Sequence, residues 1–200
     1  MKETIKKLLS EKRFIHCCGV AELSKDLAKN LGVDPQKAYL AGLVHDIAKE
    51  KSLDEMIYLC DKFCMETDSL ERTCTALMHA PAGAAILPQY GITDADIINA
   101  VRYHTVGRYG MSPLEKIIYL ADMAEPSRVY DGAETLRRLL KADFEIAFAE
   151  ALRRSVVWNM KKGNAVHPGS LSAWNELIEN GFNSKKLNKM IGGEEIDFRG

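Results

Sequence analysis

The chain has 200 residues, 46% of them hydrophobic, which is enough to bury one sizeable core and leaves little room for a second domain. Its formal net charge is −1, and Lys and Arg are interspersed with Asp and Glu, so it lacks the long basic stripe that tracks a nucleic-acid backbone. No apolar signal core and no run of about 20 apolar residues is present, so we expect a cytoplasmic protein that partners with neither nucleic acid nor membrane.

Apolar residues recur at three- and four-residue spacing along nearly the whole chain, and almost no stretch alternates as a strand would. The pattern predicts an all-α fold in a single domain over residues 1–184. A short first helix is expected at residues 5–9 and a second over 14–31. The third has Asp34 as its cap and Pro35 in its first turn and runs past Asp46, and the fourth follows Ser52 and fades at 66–69.

In the second half of the chain, the sequence pattern predicts six further helices. A short one is expected to start at Pro81 and to end near 88–91, and the next to be capped by Thr93 or Asp94 and to carry His104 on its last turn. The seventh is PLEKIIYLADMA, closed by Pro126. Two amphipathic helices follow over 133–140 and 143–161, then a loop over 163–170, a helix over 171–180 and a polar tail over 185–200 that is expected to fray.

Two aspartates interrupt apolar helical sequence. Asp46 follows His45 in YLAGLVHDIAK, and Asp122 lies in IIYLADMA. Burying an unpaired carboxylate costs roughly several kcal/mol, so each aspartate needs a cation or must lose its charge. Lys49 could supply that cation to Asp46 as an ordinary intrahelical pair three residues along, and this is the favoured interpretation of an isolated His-Asp dipeptide.

Four histidines have similarly apolar neighbours, and each by itself could be a surface or a satisfied core residue. They are His16, His45, His79 and His104. Taken with the two aspartates, they offer imidazole nitrogen and carboxylate oxygen, a ligand set that suits octahedral iron or manganese, with zinc or magnesium less favoured. The five cysteines contain no C-x-x-C pair, so neither a disulfide framework nor a zinc knuckle is indicated.

Five stretches together resemble HD-domain phosphohydrolases, and among these the YqeK-type bacterial diadenosine tetraphosphate hydrolases. The stretches are RFIHCCGVAELSKDLA at 13–28, LAGLVHDIAK at 40–49, HAPAGA at 79–84, RYHTVGR at 102–108 and LEKIIYLADMAEPSR at 114–128. The resemblance extends over residues 13–170, with no motif position missing. It implies an HD-domain helical bundle.

The resemblance also implies roles for single residues. It assigns the metal, expected to be one or two iron ions, to four ligands: His16, His45, Asp46 and Asp122. It assigns a second metal or the substrate phosphates to His79 and His104. Lys49, Thr105 and Arg128 fall near the phosphates, and the loop of residues 164–169, with Asn164 and His167, falls near the nucleoside.

Simpler alternatives stay open for three of these residues. Arg128 could equally be a cation at a helix end, and Lys49 could equally be the intrahelical partner of Asp46. For His167 a purely structural role is favoured.

The resemblance implies metal-dependent hydrolysis of diadenosine tetraphosphate to two ADP, with Asp46 and Lys49 as catalytic residues. Metal-activated water would be the nucleophile, and Lys49 and Arg128 would neutralise charge on the phosphates. A nucleotidase or cyclic-nucleotide phosphodiesterase on the same fold is the first alternative. A module that binds nucleotide without turnover is the second, although six potential ligands argue against it. A homodimer is compatible with the sequence.

Overall fold

The computed structural model describes residues 1–192, which form eleven α-helices, two short 3₁₀ turns at Glu71–Thr73 and Leu87–Tyr90, and no strand within that range. The all-α prediction is confirmed. The helices are α1 (Lys2–Leu8), α2 (Glu11–Leu31), α3 (Pro35–Val44), α4 (Leu53–Lys62), α5 (Thr75–Ile86), α6 (Ala95–Tyr103), α7 (Pro113–Ala124), α8 (Ala133–Ala142), α9 (Phe144–Lys161), α10 (Pro168–Glu179) and α11 (Ser184–Met190).

The first half of the chain packs around α2 and α3. Helix α2 lies along α3 and α7, while α6 packs against α3, α5 and α7. Gly42 permits the close approach of α2 and α3, because a Cβ atom there would lie 2.8 Å from the Cα atom of Ala21. The result is a helical layer whose apolar cluster includes Leu43, Val44 and Ile117.

The second half of the chain covers the other side of α7. Helices α8 and α9 pack against α7, and α10 packs against α9. Their shared cluster contains Tyr119 of α7 and Phe148 of α9 in an edge-to-face contact, with ring centroids 5.7 Å apart. Helix α7 is therefore buried between two layers, and its residues reach both of them.

Several helix boundaries follow the predicted caps. The side chain of Asp34 accepts from the backbone N–H groups at the start of α3, and Asp94 does the same for α6. Ser52 and Ser112 each form a reciprocal capping box, with Glu55 and Glu115 respectively. The predicted range of PLEKIIYLADMA is confirmed as α7. No helix of residues 1–192 is long and apolar enough to cross a membrane.

The prediction that His45 and Asp46 lie inside the third helix is wrong, because α3 ends at Val44 and residues 45–50 form a turn. The ring Nδ1 of His45 donates to the carbonyl of Gly42 at 2.7 Å, the carbonyl that an α-helix would pair with the backbone N–H of Asp46. Beyond it, Ile47 and Lys49 donate to carbonyls three residues back rather than four.

Three further boundaries differ from the sequence-based expectation. Helix α5 begins at Thr75 rather than at Pro81, and burial of every residue from Met78 to Ile86 offsets the hydrogen bond that an internal proline loses. His104 caps α6 instead of lying on its last turn. Helix α10 begins at Pro168, because the ring of His167 accepts from the backbone N–H of Gly169 and caps it inside the expected loop.

The predicted tail begins with a helix. Residues 184–190 form α11, and Leu187 and Ile191 are 1% and 8% exposed in the cluster of α7–α10. Apolar burial therefore fixes the first part of the stretch that was expected to fray. Residues 193–200 of that tail lie outside the described residues.

Candidate metal and phosphate site

Five segments bring the six predicted ligands together at one place. His16 lies on α2, His45 and Asp46 in the turn after α3, His79 on α5, His104 at the end of α6 and Asp122 on α7. The four histidines and Asp46 are buried, and the Asp122 side chain is 20% exposed. The two helical layers of the fold therefore enclose the site and leave one side of it open.

A first group of possible metal ligands consists of His16, His45 and Asp122. The Oδ1 atom of Asp122 lies 3.0 Å from His16 Nε2 and 3.7 Å from His45 Nε2. Two imidazole nitrogens and a carboxylate oxygen thus converge on one point.

A second group consists of His45, Asp46 and His104, and it shares His45 with the first. His45 Nε2 lies 3.4 Å from Asp46 Oδ2, while Asp46 Oδ1 lies 3.1 Å from His79 Nε2 and 3.7 Å from His104 Nε2. The carboxylate of Asp46 therefore presents one oxygen to each side and connects the two groups.

The Nε2 atoms of three histidines face the centre because each Nδ1 atom is bound elsewhere. His45 and His104 donate from Nδ1 to the carbonyls of Gly42 and Val101, both at 2.7 Å. His16 Nδ1 lies 2.9 Å from the carboxylate of Glu125. Such partners fix the tautomer and the orientation of a metal-binding imidazole.

Opposite charges keep the two aspartates ionised despite their burial. Burial by itself raises the pKa of Asp46, but the charge of His45 and hydrogen bonds from His104, His45 and His79 hold that pKa well below its ordinary value. The pKa of Asp122 is likewise lowered against burial, by hydrogen bonds from His16 and His45 and by the charges of His45 and Arg128. Both carboxylates are therefore held in the ionised form that binds a metal ion.

Two buried polar atoms at the centre, His45 Nε2 and Asp46 Oδ1, have only the ring-to-carboxylate contacts given above and no well-directed hydrogen bond within residues 1–192. Leaving such atoms unpaired is costly, and a metal ion is a partner that accepts lone pairs from both. No cysteine belongs to either of the two groups. The nitrogen and oxygen donor set thus fits a first-row transition ion, and this observation supports the metal centre that the sequence predicts.

Three cations surround the ligands, and one of them was not singled out from the sequence. Arg13 Nη1 lies 2.8 Å from Asp46 Oδ2, whereas Lys49 Nζ is 4.0 Å from Asp46 Oδ1 and 3.2 Å from His79 Nε2. The Lys49–Asp46 pair is therefore present as a long contact within the turn after α3, and Arg13 is closer to Asp46 than Lys49 is. The spacing of Arg13 three residues before His16 on α2 was the available signal.

Arg128 is anchored to the Asp122 segment. Its guanidinium donates to the side chain of Asp122, and Nε donates to the Asp122 carbonyl at 2.7 Å. The Arg128 side chain is still 33% exposed, so part of it faces solvent at the open side of the site. Glu125, the partner of His16, was the second residue that sequence reasoning missed.

A cavity of about 730 Å³ opens from the ligands towards α9. His104, Thr105 and Asp122 line its inner end, and the hydroxyl of Thr105 is buried there without a hydrogen-bond partner. The volume lies within the range of small-molecule sites. A nucleotide therefore has room to reach the predicted ligands.

The structure does not bring Asn164 and His167 to the lining of this cavity. Asn164 is exposed and donates to the side chain of Asn159 at 3.3 Å. His167 caps α10, and its Nε2 lies 2.7 Å from Asp68 Oδ2. These contacts account for both residues structurally.

Comparison with known proteins identifies a family and several relatives. The HD domain family matches residues 13–127. The chain is 37% identical to a symmetrical bis(5'-nucleosyl)-tetraphosphatase of Bacillus subtilis over 87% of this chain and 94% of that protein. A protein of the same name from Halalkalibacterium halodurans is 40% identical over 88% and 94% of the two chains.

A solved structure has the same fold. It is the crystal structure of a predicted HD superfamily hydrolase involved in NAD metabolism from Clostridium acetobutylicum, with a TM-score of 0.85 and 34% sequence identity. The match covers 90% of this chain and 95% of that one. The resemblance therefore extends from the ligand motifs to nearly the whole helical arrangement.

Proposed function

The chain belongs to the HD domain family, and from that premise we propose that it is a metal-dependent hydrolase that cleaves diadenosine tetraphosphate, or a related dinucleoside polyphosphate, to two nucleoside diphosphates. The observation that carries the proposal is Asp46, whose carboxylate connects two groups of possible ligands at the inner end of a nucleotide-sized cavity. Relatives of 37% and 40% identity named symmetrical bis(5'-nucleosyl)-tetraphosphatase support the substrate class.

We assign the metal to His16, His45, Asp46 and Asp122, as the sequence predicts. His79 and His104 are assigned to a second ion or to the phosphate oxygens, because both Nε2 atoms lie on the Oδ1 side of Asp46. Iron is the preferred ion, manganese the next, and zinc or magnesium fit the donor set less well. Bound there, such an ion would lower the pKa of a bound water, so that a hydroxide nucleophile is available near neutral pH, and would supply positive charge for the phosphate oxygens.

The chain's own cations neutralise the rest of the polyphosphate. Arg128 stands at the open side of the site, held by Asp122, and can place its free N–H groups on a phosphate oxygen. Lys49 lies beside His79. Burial lowers the pKa of Lys49, although the negative charge of Asp46 opposes that shift. The buried hydroxyl of Thr105 supplies one further hydrogen bond. Together these groups stabilise the charge that develops on the leaving diphosphate.

Arg13 has a positioning role in this proposal. Its guanidinium holds Asp46 Oδ2 at 2.8 Å, and its side chain is 27% exposed, so it steadies the carboxylate from the solvent side. That contact leaves Asp46 Oδ1 free for the second group. Arg13 therefore replaces Lys49 as the residue that orients Asp46.

Product analysis tests the proposal against a nucleotidase or phosphodiesterase on the same fold. The protein is reconstituted separately with iron, manganese or magnesium and given diadenosine tetraphosphate, ATP and a cyclic dinucleotide. We expect ADP as the sole early product of the dinucleotide, with no comparable turnover of the other two. Rapid cleavage of ATP or of the cyclic dinucleotide, with the dinucleoside polyphosphate left intact, contradicts the proposal. Binding without any turnover in all three metal forms points instead to a nucleotide-binding module.

A further inference from the structure

One face of α9 gives the cavity a wall that combines cations with an aromatic ring. Arg154, Trp158 and Lys161 are spaced at i, i+4 and i+7, so their side chains project from the same side of the helix. All three line the cavity that begins at His104 and Asp122. The metal ligands and this face of α9 thus border one continuous space.

Trp158 has a large apolar side chain, and it is 57% exposed in the structure of residues 1–192. Its position in a concave wall distinguishes it from an isolated surface tryptophan, because a flat ligand in the cavity can cover the ring. Indole rings stack on nucleobases of any sequence, since every base has a π face. The exposed ring is therefore suited to a base.

The arginines beside it are held in place by a buried carboxylate. Glu150 is 0% exposed, and it accepts from Arg153 Nε at 2.7 Å and from Arg154 Nε at 2.6 Å. Arg153 uses a second nitrogen on the same carboxylate, whereas Arg154 uses Nε alone. The amino groups of Arg154 are consequently not occupied by Glu150.

Arg154 also packs against the loop at the start of α8. A Cβ atom on Gly132 would lie 1.8 Å from Arg154 Nη1, so the guanidinium lies directly against that glycine. Gly132 has φ +95°, a conformation that favours glycine independently. The guanidinium is therefore fixed at the wall between α8 and α9, where anchoring reduces the entropy lost on binding an anion.

We propose that the α9 wall, defined as Arg154, Trp158 and Lys161, binds one nucleoside diphosphate half of the substrate, with Trp158 stacked on the base and the two cations on the phosphates. The inference rests on the proposed function, because it specifies where a nucleotide lies relative to the metal ligands. It assigns the nucleoside to α9 instead of the loop of residues 164–169. The hydroxyl of Thr105, which has no hydrogen-bond partner within residues 1–192, lines the same cavity and is the next residue after His104.

Tryptophan fluorescence gives a direct test, because the chain has two tryptophans. Trp174 serves as the control, since it packs against Phe182 in the α7–α10 cluster with ring centroids 6.3 Å apart. ADP is titrated into manganese-loaded protein. We expect quenching that persists in Trp174→Phe and disappears in Trp158→Phe. Quenching that disappears in Trp174→Phe and persists in Trp158→Phe overturns the proposal.

Calorimetry of ADP binding supplies a second, independent readout. Trp158→Phe retains a stacking ring and should bind ADP nearly as well as the unmodified protein, while Trp158→Ala should bind at least about fivefold more weakly. Lys161→Gln should weaken binding by up to about fivefold, and Lys162→Gln, a neighbouring exposed lysine outside the cavity lining, should not. Equal affinity of Trp158→Ala and the unmodified protein overturns the subsite.

The two proposals fail in different ways. If diadenosine tetraphosphate is not cleaved but ADP binding depends on Trp158, the proposed reaction is wrong and the subsite stands. If the dinucleotide is cleaved to ADP with unchanged KM in Trp158→Ala and the ADP affinity is also unchanged, the reaction stands and the subsite is wrong. Circular dichroism and metal content of each variant establish that the protein is folded and loaded.

Discussion

His16 Nδ1 lies 2.9 Å from the carboxylate of Glu125, while the Nε2 atom of the same ring lies 3.0 Å from Asp122. Glu125 is 1% exposed and also accepts from the backbone N–H of Ser127 at 2.7 Å. The absence of a side chain at Gly19 makes room for it, since a Cβ atom there would lie 2.7 Å from Glu125 Oε2. Glu125, at the end of α7, thus orients His16 on α2.

Glu125→Gln should weaken metal binding by about 10- to 100-fold, the usual cost of losing a carboxylate behind a metal-binding histidine. His16 and the Ser127 backbone contact different oxygens of the Glu125 carboxylate, and a glutamine amide has only one oxygen. The amide therefore cannot accept both hydrogen bonds in this arrangement, and the His16 ring is held less well. A chelator competition titration measures the affinity. Gly19→Ala should give a loss of the same kind by displacing Glu125.

Glu134→Gln is the matched control for that experiment, because the Glu134 side chain on α8 is 83% exposed and, within residues 1–192, pairs only with Arg137. Its metal affinity should equal that of the unmodified protein. Unchanged affinity in both Glu125→Gln and Gly19→Ala would show that Glu125 has no part in holding the metal.

Asp46→Ala should abolish metal retention and turnover together, because it removes the carboxylate that contacts both groups of ligands. Asp46→Asn removes the charge and leaves the Arg13 guanidinium without its anion, but it keeps the shape of the side chain and one oxygen. The affinity for the metal should therefore fall less in Asp46→Asn than in Asp46→Ala. Elemental analysis after dialysis, together with ADP formation, measures both effects. Asp26→Ala is a suitable control, since Asp26 is exposed and its one ion pair in the described part of the chain is with Lys29.

Normal metal content in Asp46→Ala would overturn the assignment of Asp46. The carboxylate would then serve chiefly to neutralise Arg13, and the buried histidines would bind an ion without it. Loss of metal in Asp26→Ala would instead indicate general instability of the protein.

The sequence predicted most of the helices because caps and apolar spacing are local features, and the resemblance to a known family brought the six candidate ligands together. Asp34, Ser52, Asp94 and Ser112 cap helices through contacts within three residues, which spacing alone reveals. Asp46 and Asp122 drew attention because a carboxylate in apolar sequence requires compensation.

Most of the features that the sequence did not predict depend on contacts between distant segments. The end of α3 is the exception: the His45 ring takes the carbonyl of Gly42 only three residues away, but apolar spacing continues through Ile47 and does not reveal that contact. Arg13 lies 33 residues before Asp46, and Glu125 lies 109 residues after His16. The α9 wall likewise contacts the site only because α9 packs against α7.

Metal binding to the metal-free protein should release a proton at pH 7, mainly from His45. Burial lowers the pKa of His45, but the charge of Asp46 and hydrogen bonds that the ring donates to Asp122 and Asp46 outweigh it and hold the pKa well above its ordinary value. The raised pKa favours the protonated ring in the metal-free state, and that proton must leave when Nε2 binds an ion. The release should decline as pH rises through this pKa.

Calorimetry in phosphate and in Tris measures the release, because the two buffers differ in ionisation enthalpy. His79 should contribute little, since burial lowers its pKa to about 4 and the ring is already neutral at pH 7. His45→Ala should therefore reduce the proton count. Binding enthalpy that is the same in both buffers would contradict the raised pKa of His45.

The bond that breaks can be located with hydrolysis in oxygen-18 water. If the cavity between the ligands and the α9 wall holds one nucleoside diphosphate half, water attacks an inner phosphorus of diadenosine tetraphosphate and the other half leaves. Each turnover then gives one ADP with a single oxygen-18 on its β-phosphate and one ADP without label, which mass spectrometry and phosphorus NMR resolve. AMP and ATP among the early products would instead place the cleavage at an outer phosphoanhydride bond, and the product that carries the label would identify the phosphorus attacked. Label in both ADP molecules would require a second exchange step.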